Sequence, residues 1–168
     1  MRSKPCLDSA DKGTYALLLR LPQDDWLTIG RLGRFLLPRG FYAYVGSAFG
    51  PGGLRSRLRH HLRPVRRPHW HLDYLRQVAQ PVEIWGAPVR REHDWAAEFG
   101  EWPETGVPAP RFGASDCQCV SHLFHYRQRP DLPALRARLQ QQYPDDEPIT
   151  LVWPEDRRCS TGAVFLSS

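Results

Sequence analysis

Three short apolar segments separated by turns open the sequence, and this pattern constrains the fold more than any other feature. In the first, residues 14–21, apolar side chains alternate between two faces, as they do in a β-strand. A less regular strand follows over residues 26–37, interrupted by two glycines, and a third covers residues 41–46. Short turns between consecutive strands predict an antiparallel meander.

Helices are predicted to flank these strands. Leucines recur every four residues over residues 54–62, directly after a glycine-rich break, which predicts a short helix whose other faces carry arginine and histidine. The same criteria predict further elements in the rest of the chain: helices at 69–78, 92–102 and 132–142, and strands at 82–89, 121–126 and 149–153. We therefore expect an α/β fold of the α+β type, with a small, mainly antiparallel sheet flanked by helices.

The chain has 168 residues, of which 41% are hydrophobic, enough for one domain with a real core. The sequence shows no internal repeat and no low-complexity segment. We predict an N-terminal tail at residues 1–12, a domain at residues 13–129, and a C-terminal extension at residues 130–168 that packs on the core.

The positive charge of the chain is almost entirely arginine. The formal net charge is +5, and lysine occurs only at Lys4 and Lys12. Arginine presents a planar, permanently charged fork that grips phosphate through two hydrogen bonds. Basic composition alone leaves a nucleic acid, a membrane surface and an acidic protein open as partners.

Other features of the sequence indicate where the protein works. The N-terminus does not resemble a signal peptide, and the apolar runs are too short to span a bilayer. The arginine-rich helix has only a narrow apolar stripe, so we expect no membrane partner. The four cysteines do not form the pattern of a secreted, disulfide-rich domain. We therefore expect a cytoplasmic protein with reduced thiols.

Two tyrosine motifs and an arginine-rich helix occur in a distinctive order. Residues 13–15 (GTY) open the first strand, residues 44–46 (YVG) close the third, and the arginine-rich helix follows a glycine-rich loop. This arrangement resembles the GIY-YIG nuclease superfamily, whose hallmark is a Gly-x-Tyr strand, a Tyr-x-Gly strand and a helix with an essential arginine. Further segments narrow the resemblance, which spans residues 13–126, to a poorly characterised subgroup: YVGSA at 44–48, HWHLDYL at 69–75 and GASDCQC at 113–119.

The resemblance implies a GIY-YIG-like core and a divalent-metal-dependent endonuclease that hydrolyses phosphodiester bonds in DNA, in repair, recombination or defence. It implies that Tyr15 orients or deprotonates the attacking water, that Tyr44 shapes the same pocket, and that Arg57 holds the scissile phosphate. It also implies Mg²⁺ or Mn²⁺, held by one carboxylate and stabilising the leaving oxygen.

The sequence departs from the family pattern at three points. The middle residue of the first motif is Thr14, at a non-catalytic place, and the gap between the two tyrosine motifs is long. The family often has a further tyrosine where this chain has His61, for which a general base, a phosphate contact and an exposed histidine are all open interpretations. Tyr42 shares a strand face with Tyr44 and is a rival for its role.

The family places its metal-binding glutamate on a later helix. Helical periodicity puts Glu92 on the same face as Trp95 and Phe99, directed toward the sheet, and puts Glu98 off to the side. Glu92 is therefore the predicted metal ligand, although a simple N-terminal helix charge remains an alternative. Asp73 is a third candidate.

The remaining arginines of the first helix suggest how nucleic acid is held. Arg55, Arg59 and Arg63 are interpreted either as contacts to the phosphate backbone or as solvated charges. A nuclease fold that has lost its chemistry and only binds nucleic acid is the first alternative to the endonuclease.

Cys117, Cys119 and His122 form a cluster that suggests a structural metal. Zinc sites usually place two residues between paired cysteines, and here there is one, so buried free thiols are the favoured interpretation and zinc the alternative. Further ligands for such a site are open: Cys6, Cys159, His69, His71 or His125. A zinc-stabilised interaction domain is the second alternative function.

Overall fold

The computed structural model describes residues 11–154 and confirms the predicted α+β class. Most of the predicted tail and the last part of the predicted extension lie outside the described residues. The described elements, in chain order, are β1 (Gly13–Leu21), β2 (Asp25–Ile29), β3 (Gly33–Leu37), β4 (Gly40–Ala48), α1 (Gly53–Leu62), α2 (His71–Arg76), β5 (Gln80–Ala87), α3 (Glu92–Glu101), β6 (Leu123–Tyr126), α4 (Leu132–Gln142) and β7 (Thr150–Trp153).

Five strands form one antiparallel sheet in the order β6-β4-β1-β5-β7. β1 lies at its centre and pairs with β4 along its whole length, from Gly13 opposite Ala48 to Leu21 opposite Gly40. Both faces of β1 are covered, so Ala16 on one face is about as buried as Tyr15 on the other. A strand with two covered faces becomes almost wholly apolar.

The single irregular strand predicted at residues 26–37 is wrong. This segment is a hairpin of β2 and β3, which form a separate two-stranded sheet. Gly30 and Gly33 have φ angles of 46° and 125°, conformations that glycine adopts without strain, and they reverse the chain between the two strands. The predicted meander is therefore wrong as well, because β1 pairs directly with β4.

The main sheet has a hydrophobic cluster on each side. One contains Tyr15 and Leu17 together with buried residues of the hairpin, α1 and α2. The other contains Leu18 with apolar residues of α3 and α4, including Trp95. Truncation of a fully buried leucine such as Leu17 to alanine would cost about 2–5 kcal/mol.

The described part of the predicted C-terminal extension packs on the rest of the domain. α4 buries Leu135 and Leu139 in the same cluster as α3, and β7 adds an edge strand beside β5. Within residues 11–154, no helix is long and apolar enough to cross a membrane.

Candidate functional site

The two tyrosine motifs meet where β1 begins and β4 ends. Tyr15 lies opposite Gly46 in the register of the two strands. A Cβ atom at Gly46 would lie 2.5 Å from the hydroxyl oxygen of Tyr15, so only glycine leaves room for the ring. The glycine of the second motif is therefore explained by the position of the tyrosine of the first.

Tyr15 and His61 form the buried centre of the site. The hydroxyl oxygen of Tyr15 lies 2.6 Å from Nε2 of His61, and each residue is 2% exposed. His61 reaches this position from the last turn of α1. The interpretation of His61 as an exposed histidine is therefore wrong.

Tyr44 joins this pair, whereas Tyr42 does not. The ring of Tyr44 lies 6.3 Å from the ring of Tyr15 and 6.3 Å from that of His61, measured between centroids. The hydroxyl of Tyr42 instead donates to the carbonyl oxygen of Pro38 at 2.6 Å, and its ring packs on His125. Tyr42 is therefore no rival for the role of Tyr44.

Arg57 lies beside this pair with its charge unpaired. Its guanidinium carbon lies 4.3 Å from the centroid of the Trp70 ring, a cation–π contact that holds the side chain in place. Among residues 11–154, no carboxylate lies within ion-pair distance of Arg57. The half-buried guanidinium is therefore available to an anionic ligand.

The other predicted arginines lie outside this centre. Arg55, Arg59 and Arg63 are exposed on and just after α1. Arg63 lines a neighbouring cavity together with Arg66 and Arg67. The structure thus places a basic surface next to the tyrosine–histidine pair.

Asp73 has a structural position. Its carboxylate accepts hydrogen bonds from the backbone N–H groups of His69 and Trp70, each at 2.9 Å, and lies 2.8 Å from Nε2 of His60. These bonds hold residues 69 and 70 outside the helix, so α2 begins at His71 and is shorter than predicted. They also fix the ring on which Arg57 rests.

His71 links the HWHLDYL segment to the GASDCQC segment. Its Nδ1 accepts a hydrogen bond of 3.0 Å from the backbone N–H of Gly113. Gly113 has a φ of 69°, and a Cβ there would lie 2.9 Å from the ring of Tyr44. The HWHLDYL and GASDCQC segments therefore both shape the surroundings of the tyrosine–histidine pair.

Glu92 lies in the first turn of α3, at the edge of this centre. Its Oε1 lies 3.1 Å from Nδ1 of His122. Burial raises the pKa of Tyr44, and the negative charge of Glu92 raises it further. Glu92 therefore acts electrostatically on the site.

Thr14 and Glu98 have structural partners. The Thr14 hydroxyl donates to the carbonyl oxygen of Val89 at 2.8 Å and accepts from the backbone N–H of Arg91 at 3.0 Å, which fixes the start of α3.

Glu98 is 6% exposed and forms an ion pair with Arg138 of α4. Glu98 is nevertheless buried, because α4 covers that side of α3.

An open cavity of about 440 Å³ lies over the tyrosine–histidine pair. The residues that contribute polar groups to its lining include Tyr15, Tyr44, Arg57, His61, Ser115 and Asp116. Glu92 is not among the lining residues.

Burial sets the protonation of the pair. It raises the pKa of Tyr15 well above its ordinary value, with Tyr44 adding to the effect. Burial, and after it the charges of His60 and Arg57, lower the pKa of His61 to about 3. At neutral pH the phenol is therefore protonated and donates to a neutral imidazole.

A second cluster lies beyond Glu92. Cys117, Cys119 and His122 are brought together as the sequence suggests, and His93 of α3 joins them, with one ligand atom of each within 4.8 Å of the others. His93 was missed because helix α3 and the cysteine segment are distant in sequence.

Of the residues considered as further ligands, none from the described region joins the cluster. Nε2 of His125 lies 3.0 Å from the carbonyl oxygen of Arg39, His71 bonds Gly113, and the ring of His69 packs on Trp70. Cys6 and Cys159 lie outside the described residues.

Comparison with known proteins gives one match. Residues 14–143 match the family described as "Domain of unknown function DUF123". No curated protein and no solved structure matches the chain significantly. Because the match covers well over half of the sequence, the protein belongs to the DUF123 family.

Proposed function

We propose that the protein is a divalent-metal-dependent endonuclease that hydrolyses phosphodiester bonds in DNA. The observation that carries this proposal is the hydrogen-bonded Tyr15–His61 pair beside the unpaired guanidinium of Arg57, all lining one open cavity. Phosphodiester hydrolysis needs a group that takes a proton from water and a cation that neutralises the phosphate. We assign the first role to the Tyr15–His61 pair and the second to Arg57.

Arg57 would bind the scissile phosphate. A guanidinium donates two parallel hydrogen bonds to phosphate oxygens, and a partly buried site strengthens such charge-assisted bonds. The Trp70 ring beneath it restricts the side chain before the substrate arrives. Binding energy is then not lost in ordering a mobile arginine.

Tyr15 and His61 would activate the water together. The phenolic oxygen of Tyr15 takes a proton from water as its own proton moves to Nε2 of His61, and the resulting hydroxide attacks phosphorus. After burial and His60, the charge of Arg57 lowers the pKa of His61. A phosphate paired with Arg57 offsets that charge and makes His61 a better proton acceptor.

Glu92 would hold the divalent ion at the edge of the cavity. Mg²⁺ and Mn²⁺ prefer carboxylate oxygens together with water, and the Glu92 side chain is 26% exposed. When bound, the ion supplies positive charge to the leaving oxygen. Glu98 is unsuited to this role because it is buried against Arg138.

The arginine-rich surface beside the cavity supports nucleic acid as the substrate class. Arg55, Arg59 and Arg63 are exposed near the site, and the chain carries a formal net charge of +5. Exposed arginines near a phosphate site bind the neighbouring phosphates of a polynucleotide. DNA as the substrate, and a role in repair, recombination or defence, follow from the resemblance to the GIY-YIG nucleases.

A cleavage assay tests the proposal. Wild type, Arg57→Ala and Glu92→Gln are incubated with labelled single-stranded, duplex and branched DNA, and with RNA, in Mg²⁺, Mn²⁺ or EDTA. We expect metal-dependent cutting of DNA by wild type, and losses of at least about 100-fold in both variants. Arg20→Ala, which removes an exposed arginine at the far end of β1, is the matched control and should cut normally.

Two outcomes of that assay would contradict the assignment. Absence of cutting by folded wild type, in every metal and on every substrate, would reject the nuclease. Full activity in Glu92→Gln with loss in Glu98→Gln, at equal stability, would show that the other carboxylate binds the metal.

One observation favours a second candidate, a nucleic-acid-binding module without catalysis. Glu92 does not line the cavity, so the metal and the phosphate would have to meet at its edge. If this candidate is correct, the protein should bind DNA in a salt-sensitive way and should not cleave it. Replacement of Arg59 or Arg63 by alanine should then weaken the salt dependence of binding.

A further inference from the structure

We propose that His93, Cys117, Cys119 and His122 bind one zinc ion in a structural Cys₂His₂ site, separate from the ion expected at the cavity. The inference does not depend on the nuclease activity, because none of the four ligands lines the cavity or is assigned to the reaction. It adds His93 as the fourth ligand, on a helix that the sequence does not connect with the cysteines.

The four side chains lie close enough together to share one zinc ion. Their ligand atoms all lie within 4.8 Å of one another, and Sγ of Cys117 lies 3.5 Å from Nε2 of His122. Zinc bonds of roughly 2.0–2.3 Å in a tetrahedron place neighbouring ligand atoms about 3.5 Å apart. One edge of the tetrahedron is thus already formed, and small side-chain movements close the others.

The two nitrogens of His122 face different partners. Nε2 faces the Cys117 thiol, while Nδ1 lies 3.1 Å from Oε1 of Glu92. A metal-binding histidine usually directs its second nitrogen toward a carboxylate, which fixes the tautomer and makes the imidazole a stronger ligand. Glu92 would therefore be the outer-shell carboxylate of this site.

The chemistry of the ligands selects the metal. Two thiols and two imidazoles are soft or borderline ligands, which favour zinc over Mg²⁺ or Ca²⁺. Both cysteines are free and half-buried. A closed set of four protein ligands leaves no position for water, which is typical of a structural and not a catalytic zinc.

The site would join two parts of the chain that are distant in sequence. His93 lies in the first turn of α3, the cysteines lie in the segment before β6, and His122 directly precedes that strand. An ion held from both sides would attach the cysteine segment to the start of α3. It would thereby fix Glu92, so that a structural metal positions a side chain that acts on the cavity.

Metal analysis of the full-length chain tests the proposal. Protein purified without added metal or chelator is analysed by inductively coupled plasma mass spectrometry. We expect one zinc per chain in wild type, and less than about one tenth of that in Cys117→Ser, Cys119→Ser and His93→Gln. The double variant Cys6→Ser/Cys159→Ser and the variant His69→Gln are the matched controls and should retain the zinc.

Cobalt substitution provides a second measurement. Co²⁺ added to metal-free wild type should give thiolate-to-metal charge-transfer bands and the d–d absorption of a tetrahedral site, both of which His93→Gln should weaken. Because the His93 side chain is exposed, its replacement should disturb packing less than replacement of a cysteine. The proposal is overturned by zinc retained in Cys117→Ser/Cys119→Ser, by zinc lost in the Cys6/Cys159 variant alone, or by wild type that takes up neither metal.

Discussion

Tyr15 and His61 share a hydrogen bond of 2.6 Å between a strand and a helix, and both side chains are almost completely enclosed. Nδ1 of His61 has no hydrogen-bond partner among residues 11–154. A buried polar pair left partly unsatisfied costs stability, and such costs are concentrated at functional sites. This relationship leads to the first prediction.

Tyr15→Phe should abolish cleavage and leave the fold intact. The ring keeps its packing, but the hydroxyl that would exchange protons with water and with His61 is lost. We expect a decrease of about 10²–10⁴-fold in the single-turnover rate. Tyr42→Phe removes a buried hydroxyl that donates to Pro38, and this variant should cut DNA like wild type. Equal losses of cleavage rate in the two variants would contradict the catalytic role of Tyr15.

The free energy of unfolding should fall as the pH is lowered, because of His61. Its pKa is about 3 in the folded protein and about 6.5 in the unfolded chain. The unfolded state therefore binds a proton that the folded state refuses, and stability present above pH 6.5 is lost as the pH falls toward 3.

His61→Gln should remove this loss, since glutamine does not titrate. The difference in unfolding free energy between wild type and variant should shrink by about 2–3 kcal/mol between pH 7 and pH 4.5. Urea unfolding at several pH values measures it, and the other histidines contribute equally to both proteins. A difference that does not change with pH would show that His61 titrates normally.

Thr14→Val should weaken the connection between β1 and the start of α3. The change leaves the carbonyl of Val89 and the N–H of Arg91 without their hydroxyl partner. We expect a loss of about 1–3 kcal/mol in unfolding free energy, together with reduced cleavage because Glu92 follows Arg91 directly. Thr14→Ser retains the hydroxyl and should behave nearly as wild type in both measurements.

Asp73 and Glu92 should respond differently to removal of charge. Asp73→Asn disturbs a buried carboxylate with three hydrogen-bond partners and should lower the unfolding free energy by about 1–3 kcal/mol, with Mn²⁺ affinity unchanged. Glu92→Gln should weaken Mn²⁺ binding, measured by electron paramagnetic resonance. The reverse result would make Asp73 the metal ligand.

Local patterns in the sequence predict most of the elements well. The spacing of the leucines in α1 and the alternation of side chains in β1 each reflect the geometry of a single element, and the predicted positions agree with the structure to within a few residues. The hairpin was missed because Gly30 and Gly33 look alike whether they interrupt a strand or reverse the chain. Only the backbone angles distinguish the two cases.

Contacts between elements that are distant in sequence could not be predicted in the same way. The burial of His61 depends on the distance from α1 to β1, and the burial of Glu98 depends on α4 covering α3. His93 lies close to the cysteines only because α3 packs beside the segment before β6. None of these relations leaves a periodic signal in the sequence, since each is set by tertiary packing.

The central position of β1 also bears on the order in which the chain is synthesised. β1 leaves the ribosome before either of its neighbours, β4 and β5, and its apolar faces stay uncovered until both have emerged. The hairpin of β2 and β3 can close on its own in that interval, because its two strands pair only with each other. A ribosome that stalls before β5 would therefore expose a partly formed sheet with an uncovered apolar surface, which favours aggregation of the nascent chain.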